Sequence, residues 1–352
     1  MRKKSNEYKI WKKYQDEKNL KLRTARKKNK KSNSNSKKTL NNKKPNEIFT
    51  VPQKFSIINN PNETISFFNK IIKNVERTRN LQKQKNNNNF IRTFLIDMNN
   101  TDSITSDALM YLLTIIKNTR GTKILPINWI GNFPKNAKVK EYLKRSGYLH
   151  YMNTASENII QVDDNIQIKN GVGYEYEDGE VRRDIRQEIV DFTCMHLNKN
   201  KTQITFLMTM LTELITNISD HAYQKGGMFE HSWHIFVDNK KDKITYTFMD
   251  NGLGIPTTIR KSILEKIIEA FDCENEYKYI ETAVSGVHKR SETGLIERGN
   301  GLPSIYEPYK NKDIDNLIII SNKAYYSGTS KYDMETNLFG TVFYWEIKKD
   351  GE

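Results

Sequence analysis

The chain has 352 residues and a formal net charge of +15, with 57 Lys+Arg against 42 Asp+Glu. Two cysteines exclude a disulfide framework and a cysteine-rich zinc site, and no stretch approaches the ~20 apolar residues of a membrane span or carries the apolar core of a signal peptide. A cytoplasmic protein is expected, with no membrane partner and no P-loop or HExxH zinc motif.

Residues 1–50 hold 18 of the basic side chains and only 4 of the acidic ones, so the basicity belongs to this segment and the remainder is nearly neutral. Rich in Lys, Asn and Ser and poor in apolar residues, it reads as a disordered basic tail, with Glu7 to Arg26 its one candidate for a short polar helix. Such charge suits RNA, DNA or an acidic surface through counterion release. Lysine and asparagine runs, Asn86 to Asn89 among them, equally fit an AT-rich coding sequence.

Residues 51–152 read as an α/β module. Ile91 to Met98 predicts a strand, and Ser106 to Asn118 a helix with Leu109, Leu112, Leu113 and Ile116 at helical spacing. Lys123 to Trp129 predicts a second strand, and Ala137 to Ser146 a second helix stopped by Gly147. Residues 153–180 read as a linker, and 181–350 as a second domain.

Within that domain His196 reads as a half-buried helix residue, and His231 and His234 as surface or rim residues. Ile204, Leu207, Leu211, Leu214, Ile215 and Ile218 fall on one arc of a helix, while Glu213, Asn217 and His221, four apart, drift only ~40° per step and form a polar stripe. An amide oxygen on such a stripe is a neutral hard ligand suited to Mg²⁺, and a carboxylate one turn earlier suits orienting or deprotonating an attacking water or hydroxyl. Ile244, Tyr246 and Phe248 alternate with Lys243, Thr245 and Thr247, predicting a half-buried strand that delivers Asp250 to the turn Asn251-Gly252-Leu253-Gly254. Thr257 to Phe271 predicts a helix, and the polar, glycine-punctuated stretch up to Gly299 a mobile flap. Gly299, Asn300 and Gly301 lead into a helix start near Pro303, where backbone amides suit a phosphate. Leu317 to Ile320 and Gly340 to Ile347 predict neighbouring strands.

Four segments taken in order, Glu213-Leu-Ile-Thr-Asn217 with His221-Ala222-Tyr223, Asp250-Asn-Gly252-Leu-Gly254-Ile255, Gly299-Asn-Gly301-Leu302 and Gly340-Thr341-Val-Phe343, resemble the sequence boxes of the GHKL ATP-binding fold. The first box looks closest to the anti-sigma-factor serine kinases. The resemblance implies a C-terminal α/β sandwich, a mixed sheet covered by helices, that binds ATP with Mg²⁺. It implies Asn217 as the magnesium ligand, Glu213 as the catalytic base, Asp250 as acceptor of the adenine amino group supported by Thr341, and an ATP lid beginning near Ala283. Ile255 and Leu302 belong to the same boxes, and Lys289, Arg290 and Arg298 are the phosphate charge partners it suggests.

The upstream β-α-β-α run resembles the STAS fold of anti-anti-sigma factors, in which a serine at the start of the first helix accepts phosphate. Here Asp107 stands at that place, within Thr105-Ser106-Asp107-Ala108-Leu109, so either a permanently acidic site or a simple helix cap is expected. The reading that follows is a nucleotide-dependent regulatory switch, an ATP hydrolase or a serine/threonine protein kinase, acting on a protein partner, with a homodimer open. Two readings of other classes stand beside it: a non-catalytic, nucleotide-gated interaction protein, and a nucleic-acid-associated ATPase recruited through residues 1–50.

Overall fold

The N-terminal half builds its core from alternation along short strands. In the computed structural model, strands β1 (Glu47–Thr50), β3 (Arg92–Asp97) and β5 (Ile127–Gly131) form a parallel sheet in the order β1-β3-β5, and β2 (Lys54–Phe55) pairs with β4 (Ser103–Ile104) beside it. Phe49, Phe94, Ile96, Ile127 and Trp129 are buried, with Phe94 edge-on to Trp129 at a centroid separation of 5.3 Å. Helices α1 (Pro61–Lys85), α2 (Ser106–Arg120), α3 (Ala137–Arg145) and α4 (Tyr148–Tyr151) accompany these strands. Asn136 caps α3, its side chain accepting from the amides of Lys138 and Val139. The β-α-β-α order expected for residues 91–146 is present, and β1 and α1 extend it upstream. Residues 47–50, read as tail, are the edge strand β1, because Ile48 and Phe49 give the pairing segment the β-branched and aromatic side chains a strand favours.

Residues 44–85, 91–120, 127–151, 163–172, 176–177, 180–181, 183–221, 232–262, 275–286 and 301–349 are described. Residues 47–352 cluster as one compact unit, separate from residues 1–46. The tail reading of residues 1–43 lies outside the described residues, and no described helix is long and apolar enough to cross a membrane.

The C-terminal half is a five-stranded sheet. Its strands are β6 (Ile166–Val172), β9 (Ser232–Asn239), β10 (Lys243–Asp250), β11 (Asp315–Ser327) and β12 (Lys331–Lys348), in the order β11-β12-β10-β9-β6; the short pair β7 (Tyr176–Glu177) and β8 (Glu180–Val181) lies between β6 and the next helix in the chain. Every neighbouring pair in the large sheet is antiparallel, which corrects the mixed sheet expected for this half. β6 falls inside the stretch read as linker, where Ile166 and Ile168 alternate with polar residues and are buried.

Helices α5 (Arg183–Leu197), α6 (Thr205–His221), α7 (Ile255–Ser262), α8 (Tyr277–Ser285) and α9 (Gly301–Lys310) complete the fold, with a 3₁₀ turn at Lys201–Ile204 held by a capping box between Asn200 and Gln203. The sheet is buried on both faces, and the residue alternation shows it. Trp233, Ile235, Val237, Tyr246, Phe248, Phe343 and Trp345 join one core with Leu207, Leu211 and Leu214 of α6. Phe236, Met249, Leu338 and Val342 join the other with Leu109, Leu112 and Leu113 of α2. Thr245 and Thr247, expected on a solvent face, are therefore buried, and α2 reaches Thr247 directly, with Ser106 Oγ 2.9 Å from Thr247 Oγ1. Beyond Asp250 the first half of β12 runs on with β11 as its described strand partner.

Candidate functional site

The polar stripe of α6 forms because the apolar residues take the other arc: Leu207, Met210, Leu211, Leu214 and Ile215 are buried while Glu213 and Asn217 are half-buried. These two side chains meet the start of α9. A methyl group added at Gly301 would lie 2.9 Å from Asn217 Oδ1 and 3.0 Å from Glu213 Oε2, so the α9 backbone stands close against the ends of both side chains and a larger residue would push them aside. The first and third sequence boxes are brought together at this point. Burial pushes the Glu213 carboxyl above its ordinary range. His221 is the last residue of α6, and its side chain lies outside the described atoms.

The second cluster forms at the end of β10. Asp250 is buried, lies opposite Thr341 of β12 and Trp233 of β9, and accepts from the Gly252 amide at 2.7 Å. Burial raises its carboxyl to about 6, against the opposing hydrogen bonds of the Gly252 amide and of the Thr341 hydroxyl and amide. Gly340 stands just before Thr341 with φ of +97°, and a Cβ there would sit 2.0 Å from the Asp250 carbonyl oxygen. The turn from Gly252 through Gly254 to Ile255 is fastened from β11. Ser321 Oγ accepts from the Ile255 amide at 2.8 Å and lies 3.0 Å from Thr341 Oγ1. Asn322 donates to the Leu253 carbonyl at 3.0 Å and accepts from the Thr257 amide at 3.3 Å.

Ser321 and Asn322 are site residues that sequence reasoning missed. Their signal was a polar pair cutting the apolar run Leu317 to Ile320, at the place where the β11–β12 register shifts and Asn322 adopts a φ of +53°. Of the expected site residues, Glu213, Asn217, Gly301 and Leu302 gather at the α6–α9 contact, and Asp250, Gly252, Gly254, Ile255 and Thr341 at the strand ends; Ile255 and Leu302 both pack on the core shared with α6. Lys289, Arg290, Arg298 and Gly299 lie outside the described residues.

Three expectations are corrected. Ala283 to Ser285, read as the start of a lid, belong to α8, whose Tyr279, Ile280 and Val284 are buried; the amides of Glu276 and Tyr277 at its start donate to the Asp333 carboxylate at 2.7 and 2.9 Å. His234, read as a rim residue, is buried under α2 with Nδ1 3.0 Å from Thr114 Oγ1, and desolvation drives its imidazole down to about 3; His231 is outside the described residues. Asp107, expected as a permanently acidic site or a simple helix cap, is a buried acceptor for another segment of the chain. Its Oδ2 accepts from the buried Ile57 amide at 2.5 Å and the part-buried Ile58 amide at 3.2 Å, which ties the loop after β2 to α2.

No three His, Cys, Asp or Glu side chains among the described residues converge to hold a metal. The Asn217 carboxamide oxygen beside Gly301 is a neutral hard donor of the kind that suits an ion taking few protein ligands and completing its shell with water. No protein-family model and no curated protein matches this chain.

Proposed function

We propose that this protein binds Mg-ATP in the manner of a GHKL domain and uses it as a regulatory switch, through slow hydrolysis or phosphoryl transfer to a serine or threonine of a protein partner. The observation that carries the reading is the convergence of Glu213 and Asn217 on Gly301, far along the chain, where the glycine lets the ends of both side chains lie against the α9 backbone. In this reading Asp250 accepts the adenine amino group, the Gly252–Gly254 turn lets the base approach, and Asn217 holds the ion. Bound Mg²⁺ would neutralise charge on the phosphate oxygens. Glu213, raised by burial toward working pH, orients the attacking water or hydroxyl and accepts its proton. A cytoplasmic setting goes with this reading.

The test is ATP binding by titration calorimetry together with phosphate release. Glu213→Ala is expected to keep ATP bound and to slow turnover by about 10²–10⁴-fold, since its contribution is confined to the transition state. Wild-type ATP affinity in a folded Asp250→Asn protein would rule out the adenine assignment. Binding without any turnover or transfer in the wild type would shift the reading to a nucleotide-gated interaction protein.

A further inference from the structure

We propose that Tyr111, on the N-terminal module, is a positioning residue for the Asp250 carboxylate, so that this module sets how well the adenine side of the site is formed; the inference rests on the nucleotide reading above. The half of β12 that runs on beyond Asp250 presents an edge to the N-terminal helices. Three side chains meet it at alternate residues. Asn62 Oδ1 accepts from the Glu335 amide at 3.2 Å, Asn69 Nδ2 donates to the Asn337 carbonyl at 3.0 Å, and the Tyr111 hydroxyl donates to the Phe339 carbonyl at 2.8 Å. Helices α1 and α2 thus do for this edge what a strand would otherwise do, with the period of two that a strand requires.

The last of these bonds sits beside the site. Phe339 precedes Gly340, which lies against the Asp250 backbone, and Thr341 follows with the hydroxyl and amide that hold the Asp250 carboxylate. Movement at the Phe339 carbonyl therefore reaches the donors of Asp250 through two peptide units. The same helix also grips β10, through Ser106 Oγ at 2.9 Å from Thr247 Oγ1 and Thr114 Oγ1 at 3.7 Å from Met249 Sδ, one residue before Asp250. Tyr111 is buried with its ring against Phe68, centroids 4.6 Å apart, so a phenylalanine fills the same space and removes only the hydroxyl. The groups that bond the Asp250 carboxylate are the Thr341 hydroxyl and amide and the Gly252 amide, while the Tyr111 phenol, bonded to the Phe339 carbonyl, lies near enough to feel its charge.

The experiment compares Tyr111→Phe with Asn69→Ala, which removes the neighbouring edge bond two residues farther from Gly340. Two quantities are measured in the full-length protein: ATP affinity against pH, and amide hydrogen exchange at Gly252 and Thr341 relative to Tyr246 in the core of β10. Tyr111→Phe is expected to weaken ATP binding about five-fold, to move the pH midpoint of binding upward as Thr341 loosens from the carboxylate, and to speed exchange at Gly252 and Thr341. Asn69→Ala is expected to leave affinity within about two-fold and those amides unchanged. Equal effects of the two substitutions on affinity, or unchanged exchange at Gly252 and Thr341 in Tyr111→Phe, overturn the proposal. A wild type that binds no ATP overturns the nucleotide reading instead, and the exchange comparison then decides the positioning role by itself.

Discussion

The amide of Ile57 donates to the Asp107 carboxylate at 2.5 Å, inside the core between β2 and α2, where Asp107 is only 1% exposed. A carboxylate in that place cannot advertise negative charge to a partner; it closes a loop whose amides would otherwise be buried without an acceptor.

Asp107→Ala is accordingly expected to destabilise the fold by roughly 2–4 kcal/mol, since the buried Ile57 amide and the part-buried Ile58 amide lose their acceptor together. Urea denaturation measures this. A loss below about 0.5 kcal/mol, the range of ordinary surface substitutions, would mean that the loop finds other partners.

Gly301→Ala separates the site from the fold. The added methyl meets the ends of the Asn217 and Glu213 side chains, which can swing away, so thermal stability should hold or rise slightly because alanine favours a helix over glycine. The displaced side chains are the ones assigned to the ion and the water. Mg-dependent ATP affinity should fall by about ten-fold or more, roughly 1.4 kcal/mol. Unchanged magnesium dependence in a folded variant would detach the α6–α9 contact from nucleotide binding.

The pH dependence of binding follows from Asp250. Its carboxyl is raised to about 6, and in the proposed nucleotide reading it must be ionised to accept from an adenine amino group, so ATP affinity should rise as pH increases through about 6 and level off above it. Folding runs the other way for this group: the folded state holds the proton more tightly than the unfolded one, so its contribution to stability is present at low pH and declines between about 3.8 and 6. Calorimetric titrations between pH 5 and 8 test the binding limb, and a flat profile contradicts the assignment.

His234 predicts an opposite slope in stability. Buried neutral, with its imidazole near 3 against 6.5 when unfolded, it leaves the unfolded chain binding the extra proton between those values. Stability should therefore rise with pH from about 3 to 6.5, by up to ~1.4 kcal/mol per pH unit for this one proton. The difference between wild type and His234→Gln, followed by urea denaturation across that window, isolates the effect.

What was legible in the sequence was local. Glu213 and Asn217 share a stripe because helical period alone puts them there, and Asp250 ends a strand because Ile244, Tyr246 and Phe248 alternate. What escaped was set by partners distant in the chain. Thr245 and Thr247 have the polarity of a wetted face, and nothing nearby announces that both will be buried, Thr247 against Ser106 of α2. The burial of His234 has the same origin, since its partner Thr114 lies 120 residues away. α8 differs in kind. Tyr277, Ile280 and Val284 already stood at helical spacing, but the polar, glycine-containing surroundings suggested a flap.

The two-sided burial of the large sheet has a practical consequence for anyone dividing this protein. A fragment beginning at residue 181, where the sequence suggests the second domain starts, would leave behind β6 and every helix that covers Phe236, Met249, Leu338 and Val342. It would expose a strand edge on β9 and a continuous greasy face together, a combination prone to aggregate. Expression from residue 47 keeps both coverings.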